Sequence, residues 1–314
     1  MARAHGALSQ MALAFETIYG TPPASGFMRV PFAPGLTLGS EQPLIENELL
    51  GSGRDPLAPV RDAITADGDV VVPIDAENWG LWLKAAFGAP TTTGTGPYTH
   101  EFQSGAFTLP SMAIEIGMPE VPHFAMVSGC VLDRLQWDIA RSGLLTATAS
   151  LIAQGEATAT ASQAGTLAES PLRRFGNFNG SVSRDGTPLG NVVSASVAYT
   201  NNLDRVETIR SDGLIDGADP SIAALTGQIV VRFADTTLLS AAINGTASEI
   251  TIAYSALGTG ETFEIVAHSV FLPRPRIEIS GPQGVQVTFD WQAAKDPVLG
   301  RMATATLVND VAVY

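Results

Sequence analysis

The sequence predicts a mainly β chain built from two diverged copies of one domain, and three observations carry that expectation. Charged residues make up 15% of the chain and hydrophobic ones 45%, with 31 Gly and 20 Pro; this mix suits apolar strands broken by turns better than long solvated helices. Apolar and polar residues alternate with period two in several separate stretches, the pattern of half-buried antiparallel strands. A strand followed by a short helix occurs once in each half, which prompts a search for a repeat. At 314 residues there is room for two domains, each with its own buried core.

Along the first half, residues 69–74 read as a strand and 77–87 as a helix, with Trp79, Leu83 and Ala86 on one face and Gly88 as the stop. The run Thr91-Thr92-Thr93-Gly94-Thr95-Gly96 reads as a surface loop. Leu135, Trp137 and Ile139 then alternate with Gln136 and Asp138. Residues 154–170, rich in Ala, Thr, Ser and Gly, read as linker plus strand end. In the second half, Asp185-Gly186 supplies a tight turn that predicts a hairpin between residues 181–183 and 192–199. Residues 228–233 read as a strand and 236–243 as a helix closed by Asn244-Gly245. Ile277 and Ile279 mark a strand over 276–280, and Val285, Val287 and Phe289 alternate with Gln286, Thr288 and Asp290 in another.

Laid over each other, the halves match at an offset of about 159 residues over 44–50, 51–67 and 68–72, and of about 140 over 112–117, 132–140 and 144–153. A first-copy insertion over residues 89–110 accounts for the change and is expected on the surface. The domains expected are therefore 1–160 and 161–314, with one large β domain as the alternative.

Seventeen basic against thirty-one acidic residues give a net charge of −14, which repels phosphate backbones and argues against nucleic-acid binding. One cysteine, Cys130, excludes an internal disulfide and reads as a small buried hydrophobe. Residues 1–12 lack a secretory signal, and no stretch of about 18 apolar residues runs unbroken, so a soluble chain made in the cytoplasm, with no membrane association, is expected.

No catalytic chemistry is legible. His5, His100, His123 and His268 have no partners at metal-ligand spacing. Gly51-Ser52-Gly53, Gly94-Thr95-Gly96 and Gly258-Thr259-Gly260 lack the strand-to-helix setting of a phosphate cradle and read as turns. Asp212, Asp216 and Asp219 crowd one loop without the spacing of a calcium site. No cofactor, metal or enzymatic activity is expected.

Two long loops stand out, because neighbouring strands are ordinarily joined by few residues and long connections tend to be functional. The first carries Arg54, Asp55, Leu57, Val60, Arg61, Asp62 and Ile64; the second carries Asp212, Leu214, Ile215, Asp216 and Asp219. Both read as segments that dock onto a neighbouring subunit.

Residues 15–22 (FETIYGTP), 68–88 (GDVVVPIDAENWGLWLKAAFG) and 201–206 (NNLDRV), running on through Gly213-Leu214-Ile215 to 227–233 (GQIVVRF), resemble the tail tube, or major tail, proteins of long-tailed bacteriophages. The resemblance implies that each copy is a β-sandwich or partial barrel with a short flanking helix, and that six such domains close a ring. Rings would stack into a hollow tube through the long loops, with inner strands forming a continuous lumen for viral DNA. Two domains per chain imply three chains per ring. Implied partners are other copies of the chain and the tape measure, tail terminator and distal tail proteins, in a virion tail. DNA would pass without specific binding along a lumen kept slippery by carboxylates, for which Asp138 and Glu278 are candidates. Another virion component, such as a terminator or decoration protein, and a ligand-binding β-sandwich are the alternatives.

Overall fold

A computed structural model describes residues 3–46, 49–51, 53–256, 258, 260–279 and 281–314. Met1, Asn47, Glu48, Ser52, Thr259 and Ser280, which fall in segments singled out above, lie outside the described residues. The chain is mainly β. The first half holds β1 (Gln10–Phe15), β2 (Met28–Arg29), β3 (Gly39–Glu41), β4 (Leu44–Ile45), β5 (Val60–Arg61) and β6 (Thr65–Pro73). After α1 (Trp79–Phe87) come β7 (Thr91–Thr93), β8 (Tyr98–Gln103), β9 (Met112–Met118), β10 (His123–Ile139), β11 (Thr146–Ala153) and β12 (Gly155–Ala159). The second half holds β13 (Ala168–Glu169), β14 (Gly180–Arg184), β15 (Thr187–Pro188), β16 (Val192–Thr200), β17 (Leu203–Val206), β18 (Gly217–Pro220) and β19 (Ala224–Arg232). Then follow α2 (Thr237–Asn244), β20 (Ser248–Ser255), β21 (Thr262–Phe271), β22 (Gln286–Ala294) and β23 (Ala303–Asn309).

One long antiparallel sheet runs β3-β6-β11-β10-β16-β19-β22 and takes strands from both halves. Two shorter sheets back it, β2-β1-β9-β10-β12 from the first half and β15-β14-β20-β21-β23-β8-β7 mostly from the second. The strand β10 serves two sheets because it bends, with register breaks at Val127/Cys130 and Leu132/Arg134. Beyond the bend, Leu135, Trp137 and Ile139 are buried while Arg134 and Asp138 are exposed.

Pairs recur between the halves at fixed shifts. Gly39 opposes Asp67 and Ala198 opposes Thr226; 198 less 39 and 226 less 67 both give 159. Leu44 opposes Arg61 and Leu203 opposes Pro220, again 159 apart. Gly68 opposes Leu151 and Gly227 opposes Trp291, where the shifts are 159 and 140. Ile114 opposes Val127 and Ile252 opposes Ile265, both shifted by 138. The glycines match as well: a Cβ on Gly68 would lie 2.6 Å from Thr37 O, and one on Gly227 would lie 2.1 Å from Ser196 O.

The halves do not keep separate cores. A single cluster of buried apolar side chains extends from Met11 to Leu307. At its centre Trp79 of α1 meets Trp137 edge-on at 6.0 Å and Phe263 at 5.7 Å, so a first-half helix is packed against a second-half strand.

Three expectations need correction. The Asp185-Gly186 turn is present, with φ of 47° and 73°, but its return strand is the short β15; β16 leaves for the long sheet, where β10 and β19 offer it two partners. The insertion over 89–110 exposes residues 91–97 and 105–108 but is not all loop: Thr91–Thr93 forms β7, and β8 pairs with β23, burying His100 and Phe102. Residues 276–279 form no strand. β21 pairs with β22 only as far as Phe271 opposite Gln292, and beyond that point Pro273 and Pro275 cannot donate to continue the ladder.

Candidate functional site: a polar sheet face and two arms

Because side chains alternate across a strand, the long sheet turns every second residue away from the core. That outward face carries Asp69 on β6, Arg134, Gln136 and Asp138 on β10, Ser196 on β16, Gln228 and Arg232 on β19, and Asp290 on β22. Asp138 is exposed and stands opposite Ser196. Asp69 accepts a 2.6 Å hydrogen bond from Ser150 Oγ, and Asp290 a 2.9 Å bond from Gln228 Nε2. Asp69 and Asp290 are not among the lumen candidates read from the sequence, although the same alternation that picks Asp138 puts them on this face. Glu278 is exposed in the strandless stretch after β21 and is not brought beside Asp138.

The two long loops are projecting hairpins. The first rises from β4 and β5, with Ile45 opposite Val60, and beyond that pair the chain runs out and back through Arg54, Asp55 and Leu57. All three are exposed, as are Arg61 and Asp62, and so are the apolar Leu44, Ile45, Leu50 and Val60. Ile64 is half-buried at the base, where its N–H donates to Gly213 O of the second arm at 3.0 Å.

The second arm, on β17 and β18, is folded onto itself. Arg210 donates to Asp212 at 2.7 and 3.0 Å and to Asp216 at 2.7 Å, so a guanidinium fills the space between these carboxylates. The hydrogen bonds from Arg210 hold the Asp212 carboxyl down at about 2. Leu214 packs against the position of Gly155, Ile215 is buried, and Ile215 O accepts from Gln154 Nε2 at 3.2 Å. Arg205 at the arm's base pairs with Asp67 on β6. Asp219 is exposed and opposes Asp204 across the arm. Exposed apolar side chains therefore concentrate on the first arm, with Ile209 and Ile222 exposed on the second.

Among the described residues, Glu77, Glu261 and Asp310 bring carboxylates within 4.8 Å of one another. Arg173 already sits there, 2.5 Å from Glu261 and 3.0 Å from Asp310, and the cluster ties residue 173 to the turn into α1, the start of β21 and the end of β23. It is a structural knot.

Comparison with known proteins gives one family. A family model described as phage tail tube protein matches residues 6–293. No curated protein matches the chain.

Proposed function

The chain belongs to the phage tail tube protein family, and from that premise we propose that three chains close a ring of six similar units, with the long sheets joined around a central channel. The family is structural and not enzymatic, and it places the chain in the virion tail as a self-assembling tube subunit.

The observation that carries the ring reading is the recurrence of strand pairs at shifts of 159, 140 and 138, which supports reading residues 1–160 and 161–314 as two copies of one unit. Within the long sheet the copies stand side by side, β10 of the first against β16 of the second, as neighbours in a ring would. The polar face then lines the channel. Its carboxylates, Asp69, Asp138 and Asp290, outnumber Arg134 and Arg232, which favours passage of DNA without adhesion. The first arm, with its exposed apolar residues, reaches the next ring.

Light scattering coupled to size exclusion, followed by electron microscopy of concentrated protein, tests this reading. Ring particles of three chains, stacking into tubes, are expected. Rings of six chains overturn the stoichiometry, and monomers at every concentration overturn the assembly.

A further inference from the structure

In the long sheet the β10–β16 joint between the halves occurs once inside the chain, and its two sides each recur among the described residues without a strand partner at that edge. In the joint Arg134 opposes Thr200, Gln136 opposes Ala198 and Asp138 opposes Ser196. Moving the β10 side by 140, the shift that takes Leu151 to Trp291 on the adjacent strand, gives Arg274, Arg276 and Glu278. Moving the β16 side by 159 gives Glu41, Gly39 and Thr37.

Chemistry agrees with the arithmetic. Leu132, Arg134, Asp138 and Ile139 fall on Leu272, Arg274, Glu278 and Ile279, which keeps three identical residues and one carboxylate in place. On the other side Ser196 and Ala198 fall on Thr37 and Gly39, again small residues. Arg274 would face Glu41, an opposite charge directly across the strands. Residues 272–279 are without strand partners although the apolar Ile277 and Ile279 are exposed. Among the described residues no strand pairs with the outer edge of β3, where Ser40 N–H and Oγ donate instead to Glu156 Oε2 of β12 at 2.7 and 2.9 Å.

We propose that residues 274–279 of one chain add as an antiparallel strand to residues 36–41 of a second copy, in the register Arg274 to Glu41, Arg276 to Gly39 and Glu278 to Thr37. This rests on the ring reading and gives it a defined seam. The counterpart of Pro275 in the joint is Leu135, opposite Tyr199, so Pro275 would stand opposite Ser40. It contributes its carbonyl there and no N–H, which weakens pairing with any arbitrary strand while leaving the bonds at Ile277 and Ile279.

Cysteines in place of Thr37 and Glu278 test the register, since the native Cys130 is buried. Directly opposed residues lie about 5 Å apart at Cβ and diagonal ones about 7–8 Å. The full-length T37C/E278C protein, oxidised after assembly, is expected to give a non-reducing gel ladder ending at three chains. The T37C/R276C pair, displaced by two residues, is expected to link weakly. Rings that form normally but link only through the displaced pair, or through neither, overturn the seam and leave the ring reading standing. Wild-type protein that never assembles overturns both. Charge reversal gives a second route: Arg274→Glu is expected to raise the concentration for half-assembly about threefold to tenfold, and Arg274→Glu with Glu41→Arg to restore it. Failure of the double variant to recover, with the single variants folded, counts against the register.

Discussion

At the scale of the residue, one glycine and two carboxyls are held under tight constraint. Gly227 lies where Ser196 O and the Trp291 ring close in, the latter 2.5 Å from an added Cβ. Gly227→Ala is expected to cost about 1–3 kcal/mol through forced backbone displacement, read as a lower urea midpoint at constant slope. An unchanged midpoint would show that the strands separate freely there. Asp75, fully buried, accepts hydrogen bonds from the N–H groups of Glu77 at 2.8 Å and Asn78 at 2.6 Å, and so shapes the turn into α1. Burial nonetheless raises its carboxyl, and burial raises that of Glu77 against the pull of Arg173. Both groups therefore hold protons more tightly folded than unfolded, and their contribution to stability declines as pH climbs from the ordinary 3.8 and 4.5 through the raised values. Glu77→Gln should flatten that decline in a series of urea titrations across pH; an unaltered slope sinks the assignment.

At the scale of the element, local pattern was readable and pairing was not. Both helices, the alternation in β10 and β22, and the arms' positions follow from apolar spacing and from Gly and Asp at turns. The insertion misled because Thr-Thr-Thr-Gly-Thr-Gly is turn chemistry at one end only: Thr91 to Thr93 is β-branched and pairs with β8, and nothing in residues 98–103 names β23 as partner. Ile277 and Ile279 alternate as a strand should, but alternation cannot say whether a ladder forms, and Pro273 and Pro275 interrupt the one that joins β21 to β22. Asp69 and Asp290 are not lumen candidates by sequence, because the face they share with Asp138 emerges only when six strands are aligned. The arm makes a prediction of its own. Since Ala66 is buried and β6 begins at Thr65, shortening must stop well before them. Replacing residues 46–59 with Asn-Gly keeps Ile45 opposite Val60 across a two-residue turn. The expected product is a stable chain whose rings, visible by electron microscopy, no longer stack; tubes of normal length would show that the arm is dispensable.

For the whole molecule, charge and connectivity matter most. With the channel lined as proposed, Asp69→Lys, Asp138→Lys and Asp290→Lys together exchange three repelling groups for three attracting ones. Assembled variant particles are expected to retain short duplex DNA at low salt and release it steeply as salt rises, whereas the parent retains none. Equal retention by both would place this face away from the DNA path.

The pairing of β8 with β23 also sets a clock. Residues 98–103 must wait for residues 303–309, and His100 finds its hydrogen bonds to Asn309 and Val311 only then. At about 5–20 residues per second of synthesis, some 10–40 seconds separate the two strands at the ribosome. Throughout that interval the nascent first half carries an unfinished sheet, and the core that spans both halves cannot close. Completion of the subunit's sheet is thus postponed until residues 303–309 have been translated.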